Sequence, residues 1–445
     1  MIARVRLLAR FVPERRLAAA VALAALLFLL PAPAGGWAGL TLLLALVLAI
    51  AVEALRLPNA STFRLTREAP THVGLGDDEQ MTYRVHNHGA VGLTVTLQDR
   101  LPDCLRGGIG RAVYRVPAHE TLVVPTPLRG VTRAEAALGP VGGRVTTGWG
   151  LLAWRTTVEP TDRIRVTPSV AGVRRFRLLA MQNRLDTAGV RNLRRRGEGQ
   201  GFAGLREYVL GDDPRHIDWK TSAKRSKLIS REFTIERSQT VLTLIDAGRG
   251  MTQLAGEFSR FEHALSSALV LTDIAVNAGD RVGTLVFDDA IRAFVPARQS
   301  RGALHAVRDA FVPVTASSRE PDYAAAFRYL ATHQRKRALI VFYTDVLGVR
   351  ASRSLLAHVT RSAQRHLCLV VALRNDELFA LAEPGATATR ASLFDHASAE
   401  ELLASREEAL ERMRRAGAVV LDVSPTTMTA GVINRYLELK GRGAI

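Results

Sequence analysis

Two unbroken apolar runs open the chain. The first is Leu17 to Leu30, LAAAVALAALLFLL, closed by Pro31-Ala-Pro-Ala-Gly-Gly; the second is Trp37 to Val52. With its flanks each covers about 16–20 residues, or roughly 25–30 Å as helix, which reaches across a bilayer. The pattern predicts a membrane hairpin over residues 1–58, with helices at about 17–34 and 37–55. A cleaved signal peptide is the alternative for the first run, because Arg15 and Arg16 precede it; a second run after a short turn favours the hairpin. Arg4, Arg6, Arg10, Arg15 and Arg16 stand before the first run, and Arg56, Arg64 and Arg67 follow the second. By the positive-inside rule both termini of this multi-pass cell-membrane protein face the cytoplasm. Neither run carries a charge, so the hairpin reads as an anchor rather than an ion path.

From Asn59 to about Thr167 the period shortens to two. Met81-Thr-Tyr-Arg-Val, Leu93-Thr-Val-Thr-Leu, Thr121-Leu-Val-Val and Gly143-Arg-Val-Thr-Thr alternate, and Gly- and Asn-rich turns separate them. Strands at this spacing predict a small β-sandwich over residues 59–167. His86 and His88 would share a strand face, but two histidines do not make a metal site.

Residues 238–445 alternate strand and helix. Strands are predicted at 241–245, 281–287, 338–343, 367–373 and 418–423, with helices at 259–277, 303–311, 323–332, 352–364, 399–416 and 426–439. This is the pattern of a doubly wound α/β domain, whose functional edge is the carboxyl end of its strands. Asp246, Asp288, Asp289 and Asp345 all follow strand ends and gather there.

Between these regions lies a block, residues 168–237, dense in both charge signs. Gly199-Gln-Gly201-Phe-Ala-Gly204 formally matches a dinucleotide fingerprint, but Arg194-Arg-Arg196 precedes it instead of a buried strand, and no amphipathic helix opens after it. Further on, Asp213 is a natural N-cap and Pro214 a first helical residue, which predicts a helix from Pro214 to about Lys224. Ile229 to Ile235 alternates as a strand. Three readings of Arg206, Asp212, Asp213, Arg215, Asp218 and Lys220 stay open: a structural staple, a docking surface for a partner, or a catalytic cluster with His216.

The formal charge of +18 does not change this picture much. It is spread along the chain and not gathered on one element, which argues against nucleic acid as the partner. Cys104 and Cys368 are far apart, so neither a disulfide scaffold nor a cysteine zinc site is expected. The chain contains no GxxxxGK[ST] and is not itself a P-loop ATPase.

The central block resembles the bacterial family known as domain of unknown function fifty-eight. The resemblance rests on Leu205-Arg206, Tyr208, Gly211-Asp212-Asp213, Arg215, Ile217-Asp218-Trp219-Lys220 and Ala223-Lys224. It implies paired N-terminal membrane helices, a β domain and a von Willebrand A-like C-terminal domain. It also implies partnership with a MoxR-type AAA+ ATPase, acting on a client the sequence does not identify. Arg206, Tyr208, Gly211, Asp212, Asp213, Arg215, Asp218, Trp219 and Lys220 become the candidate partner-binding residues.

Von Willebrand A domains hold a cation with D-x-S-x-S, a threonine and a distal aspartate; here the motif reads Asp246-Ala247-Gly248-Arg249-Gly250. Both hydroxyl positions are glycine, Asp322 falls near the threonine position, and Asp345 matches the distal acid. Asp246 and Asp345 are thus a degenerate metal site with at most weak Mg²⁺ binding, and Arg249 is the expected neutraliser of its carboxylates. The expected function is a non-enzymatic, membrane-anchored adaptor with no cofactor. The alternative is a metal-dependent hydrolase or phosphotransfer enzyme using the acidic edge.

Overall fold

Alternation of apolar and polar side chains builds the first part of the molecule, and longer apolar strands build the second. The computed structural model describes residues 11–29, 34–58, 62–158, 163–169, 196–209, 214–225, 227–234, 239–300, 302–349, 352–383 and 390–443. The chain divides into two units, Met1–Ser169 and Val170–Ile445.

The strands of the first unit are β1 (Phe11–Pro13), β2 (Phe63–Glu68), β3 (His72–Gly74), β4 (Asp78–Asn87), β5 (Leu93–Gln98), β6 (Leu105–Gly107), β7 (Arg111–Val116), β8 (Thr121–Gly130), β9 (Ala134–Ala137), β10 (Val141–Thr146), β11 (Leu152–Val158) and β12 (Arg163–Thr167). They form a five-stranded sheet β1-β11-β10-β5-β7, a four-stranded sheet β2-β4-β8-β6 and a three-stranded sheet β3-β12-β9. Met81, Tyr83 and Val85 alternate inward along β4, as Val95 and Leu97 do along β5. One solvated face per sheet requires this pattern. The Phe63 and Trp154 rings meet edge to face at 5.6 Å.

A charged cluster sits inside this core. Arg67 Nη1 lies 3.2 Å from the Asp99 carboxylate and donates to Gly139 O at 2.9 Å, and the Tyr83 hydroxyl donates to the same carboxylate. Burial and then the bond to Asp99 push the Tyr83 hydroxyl well above the usual phenol range. Arg67 is therefore a core residue, 3% exposed, rather than a free cation flanking a membrane span.

The strand β1 precedes the apolar segments and pairs with β11, Phe11 opposite Trp154 and Pro13 opposite Leu152. Three residues are too few for alternation to announce a strand. Two helices follow, α1 (Arg15–Leu27) and α2 (Ala34–Arg56), packed against each other. In α2, Gly35–Arg56 is long and apolar enough to cross a membrane. At 13 residues, α1 is ~20 Å long, short of the ~30 Å hydrocarbon core. Among the described residues one helix, not two, meets the length of a span.

The last turn of α2 carries Glu53, fully buried. Its carboxylate accepts from Thr147 Oγ1 at 2.6 Å and from the N–H groups of Gly150, Leu151 and Leu152 at 2.8, 2.9 and 3.0 Å. A buried carboxylate needs such donors to offset its lost hydration. Four of them pin the loop between β10 and β11 to the helix end.

In the second unit, β13 (Arg196–Glu207) pairs antiparallel with β14 (Ile229–Thr234), and α3 (Trp219–Arg225) lies between them in sequence. Then come β15 (Thr240–Asp246), α4 (Arg260–Asn277), β16 (Arg281–Phe287), β17 (Ile291–Arg298), α5 (Gly302–Phe311), α6 (Tyr323–His333), β18 (Leu339–Thr344), α7 (Arg353–Ala363), β19 (Leu367–Leu373), α8 (Asp376–Leu381), α9 (Arg390–Arg415), β20 (Val419–Val423) and α10 (Met428–Gly441). The sheet order is β17-β16-β15-β18-β19-β20, parallel except for the antiparallel edge strand β17. Val241 and Ile245 face a core shared with α4, α5 and α10, while Leu242 and Leu244 face one shared with α6, α7 and α9. Helices thus cover both faces, which is why the parallel strands read as continuous apolar runs. The strand β17 was not expected: its side chains are only half-buried, and one exposed sheet edge gives a weaker pattern.

Candidate functional site

Loops at the carboxyl ends of β15, β16 and β18 bring the acidic residues together as the alternation predicts. The Ala247 N–H donates to Phe287 O at 2.7 Å, Ser317 N to Ala247 O at 2.8 Å, Arg249 N to Arg319 O at 2.9 Å, and Asp322 N to Asp288 O at 2.8 Å. These bonds lace the loop before α6 onto the ends of β15 and β16.

Asp246 is 3% exposed and its carboxylate is fully engaged. Oδ1 accepts from Gly248 N at 2.7 Å; Oδ2 accepts from Thr344 Oγ1 at 2.8 Å and Tyr323 OH at 3.1 Å. Burial pushes its pKa up to about 6, against those three hydrogen bonds, which favour the ionised form. Asp345, with a side chain 7% exposed, lies 3.1 Å from Arg260 Nη1 at the start of α4. Burial raises its pKa too, while Arg260 and then Arg406 pull it back. Arg406 itself is buried, donating to Leu373 O at 3.2 Å and to Asp422 at 2.8 Å.

The remaining carboxylates are likewise matched. Asp288 accepts from Arg292 Nε at 2.7 Å, Ser317 Oγ at 2.8 Å and Ala290 N at 3.0 Å. Burial works against its charge, but these donors prevail and hold it well below the usual carboxylate range. Asp289 pairs with Arg292 at 2.9 Å and with Arg319.

Two sequence expectations change here. Arg249 is not the neutraliser: its side chain is 73% exposed and stands 3.7 Å from Glu320. The buried Arg260 has that role. Asp322 does not occupy a ligand position; its side chain caps α6 by accepting from Ala325 N at 2.9 Å. Tyr323 and Thr344 approach Asp246 instead. Sequence reasoning missed Arg260, yet a signal existed: it is in register with Ala264, Ser267 and Leu271 on the buried stripe of α4. A charge on an apolar stripe announces a buried partner.

The edge does not suit a hard cation. Such an ion needs several open oxygen ligands. Asp246 is spent on protein donors, and a guanidinium already faces Asp345. Among the described residues no group of three or more His, Cys, Asp or Glu is placed to hold a metal ion. The two glycines in the motif are also close-fitted. A Cβ on Gly248 would stand 2.8 Å from Pro321 Cδ, and one on Gly250 would stand 2.9 Å from Asp345 Cβ. A serine at either position requires rearrangement.

The second candidate site is the central block. The glycines from Gly199 to Gly204 lie within β13, whose pairing with β14 is irregular between Arg196 and Gly204. A bulged strand is not the strand–turn–helix a pyrophosphate requires. The helix expected from Pro214 is split: Pro214–His216 is one 3₁₀ turn, and α3 begins at Trp219. The cap is Asp218, whose side chain accepts from Thr221 N at 3.0 Å and whose carbonyl accepts from Ser222 N at 2.9 Å and Ser222 Oγ at 2.8 Å. Ser222 Oγ then accepts from Ile229 N at 2.9 Å, and Tyr208 N donates to Leu228 O at 2.9 Å. Gly211, Asp212 and Asp213 lie outside the described residues, as does the side chain of Arg206. Arg215, Trp219 and Lys220 are exposed, Trp219 by 67%.

Residues 204–420 match the family model described as Protein of unknown function DUF58. The uncharacterized protein YeaD of Bacillus subtilis is 32% identical over 183 residues, 37% of this chain and 45% of that protein. The uncharacterized protein Rv1480 of Mycobacterium tuberculosis is 26% identical over 154 residues, 34% of this chain and 49% of that protein. The chain spans about half the length of the curated relatives it matches. Among solved structures, a Salmonella alpha-2-macroglobulin reacted with methylamine aligns over 24% of this chain and 7% of its own, at 14% identity and a TM-score of 0.19, which carries no argument.

Proposed function

We propose that the protein is a membrane-anchored, non-enzymatic adaptor or scaffold. Its α/β domain, of von Willebrand A type, is offered to a MoxR-type AAA+ ATPase or to that enzyme's client. The observation that carries the reading is the state of the acidic edge. Asp246, Asp288 and Asp289 are held by the protein's own donors and Asp345 faces the buried Arg260, an arrangement suited to a rigid surface rather than to turnover. The central block supports a docking role: Asp218 and Ser222 stiffen it from within, while Trp219 and Lys220 are exposed on it. Exposed tryptophan and arginine are typical anchors of protein interfaces.

Chain path favours two membrane crossings, with both termini cytoplasmic. β1 and β2 belong to the same unit, before and after the helices. If α2 crosses once, the chain must cross back in the segment between β1 and α2, which includes α1. The test is capture of the full-length tagged protein from detergent-solubilised membranes, with and without nucleotide. An AAA+ ATPase should be recovered, and Trp219→Ser with Arg215→Ser should release it. Recovery of no such ATPase in either nucleotide state sinks the adaptor reading.

A further inference from the structure

The sandwich unit contains a cleft that the adaptor reading does not use. It has a volume of about 870 Å³ and is lined by strands β5, β7 and β10, by the first residues of α1, and by the loop between β10 and β11. Five arginines line it, Arg15, Arg16, Arg111, Arg115 and Arg144, together with Glu14. Glu14 is already paired with Arg144 at 2.5 Å, and Arg16 donates to Trp149 O at 3.0 Å. Arg15, Arg111 and Arg115 have no acidic partner among the described residues.

The floor is a built surface rather than a chance gathering of charge. Arg111, Val113 and Arg115 alternate on the open face of β7. Cross-strand register sets Arg115 beside Thr94, and Thr94 beside Thr146. The next row runs Val113, Thr96, Arg144. Guanidinium forks and hydroxyl donors on one face suit the oxygens of a phosphate. The volume falls in the range of small-molecule sites.

Position identifies the source of that phosphate. Arg15 and Arg16 are the first residues of α1, and Thr147, Gly148 and Gly150 belong to the loop that Glu53 fastens to the last turn of α2. Arg56, ending α2, lies over the Trp149 ring at 4.9 Å, and Trp149 is 45% exposed. The cleft therefore opens where both apolar helices meet the sandwich, at the level of the headgroups if α2 spans the bilayer. We propose that it binds the phosphate headgroup of an anionic phospholipid. This rests on the membrane-anchor part of the preceding reading.

The test is native mass spectrometry of the full-length protein released from nanodiscs of phosphatidylglycerol and phosphatidylcholine. Wild type should retain phosphatidylglycerol in preference to phosphatidylcholine. R111Q/R115Q, two changes on an exposed strand face, should weaken that retention roughly tenfold to thirtyfold, since each surface cation near an anionic leaflet contributes measurably to its attraction. R64Q, outside the cleft, should leave it unchanged. Equal retention by wild type and R111Q/R115Q overturns the proposal, as does equal loss in R64Q. Displacement of the lipid by millimolar inorganic phosphate or glycerophosphate also overturns it, by assigning the cleft to a soluble anion. Alkaline carbonate extraction of the same membranes reports separately on the anchor: release of wild type there removes the anchor, whatever the mass spectra show.

Discussion

The acidic edge of the α/β sheet and the basic cleft of the first, β-rich unit are both charged, and they treat charge in opposite ways. At the edge, Asp246, Asp288, Asp289 and Asp345 each find a donor or a cation within the same unit. In the cleft, Arg15, Arg111 and Arg115 find no carboxylate among the described residues, and two of them stand on an open strand face. Charge neutralised from within serves the fold. Charge left open must be answered from outside, by counterions or by a ligand. A count of charged residues does not separate these cases, which is why the net charge of +18 says so little.

The strongest way to break this comparison is at Arg260. If Arg260 neutralises Asp345, then Arg260→Met leaves a carboxylate buried without its cation. Removing one partner of a buried pair costs about 3–5 kcal/mol. Urea unfolding of the full chain in detergent should show the α/β transition displaced by that amount. The double variant R260M/D345L should recover most of it, since an apolar pair of similar volume replaces a buried ion pair at little penalty. A wild-type midpoint for R260M alone would mean that the edge is not balanced from within.

Glu53 supplies the corresponding test in the first unit. Glu53→Ala strands one hydroxyl and three backbone N–H groups, which should destabilise that unit by about 2–4 kcal/mol. Its signature is local: protease cutting at the loop between β10 and β11 should rise before the rest of the unit opens. Glu53→Gln, which keeps one acceptor oxygen, should fall between.

The third effect is a pH slope. Asp246 has a folded pKa of about 6 against an ordinary value of 3.8. Between those values the folded state holds a proton that the unfolded state has lost, so stability falls as pH rises from about 4 to about 6. The loss amounts to roughly 2–3 kcal/mol by linkage. Asp345, also raised, adds in the same direction. Asp288 is lowered and works oppositely, but its stability is lost only as pH falls below the ordinary carboxylate range. Asp246→Asn should remove part of the slope between pH 4 and 6 and leave the acid limb unchanged. A wild-type slope in Asp246→Asn would show that the group is not buried as described.

How far the chain announces all this depends on the range of the interactions. Parallel strands buried on both faces give long apolar runs, so β15, β16, β18, β19 and β20 were legible, and so was the clustering of acids at their ends. In the first unit β4, β5, β8 and β10 were legible from their period of two. What was hidden lies in pairings distant in sequence. Arg260 meets Asp345, Glu53 meets the loop at Thr147, and β1 meets β11 across some 140 residues. Nothing local to Arg249 distinguishes it from Arg260 except helical register. Asp213 and Asp218 both offer N-cap chemistry, and the choice of Asp218 is fixed by Ile229, whose carbonyl accepts the Asp218 N–H at 2.9 Å.

The smallest predicted effect separates the two arginines directly. Arg249 lies inside the motif that von Willebrand A domains use for metal, beside Asp246, and proximity in sequence makes it the natural neutraliser. Its guanidinium is 73% exposed and 3.7 Å from a glutamate 81% exposed. Solvent screens such a pair almost completely, and holding two long side chains in register offsets the remaining attraction. Arg249→Ala should therefore shift the α/β transition by no more than about 0.5 kcal/mol, and should leave the pH slope assigned to Asp246 untouched. Set beside R260M, the result measures how much of a charge's effect is fixed by burial and how little by its place in a motif. A loss from R249A comparable to that from R260M would return the neutralising role to the motif and undo the contrast between the edge and the cleft.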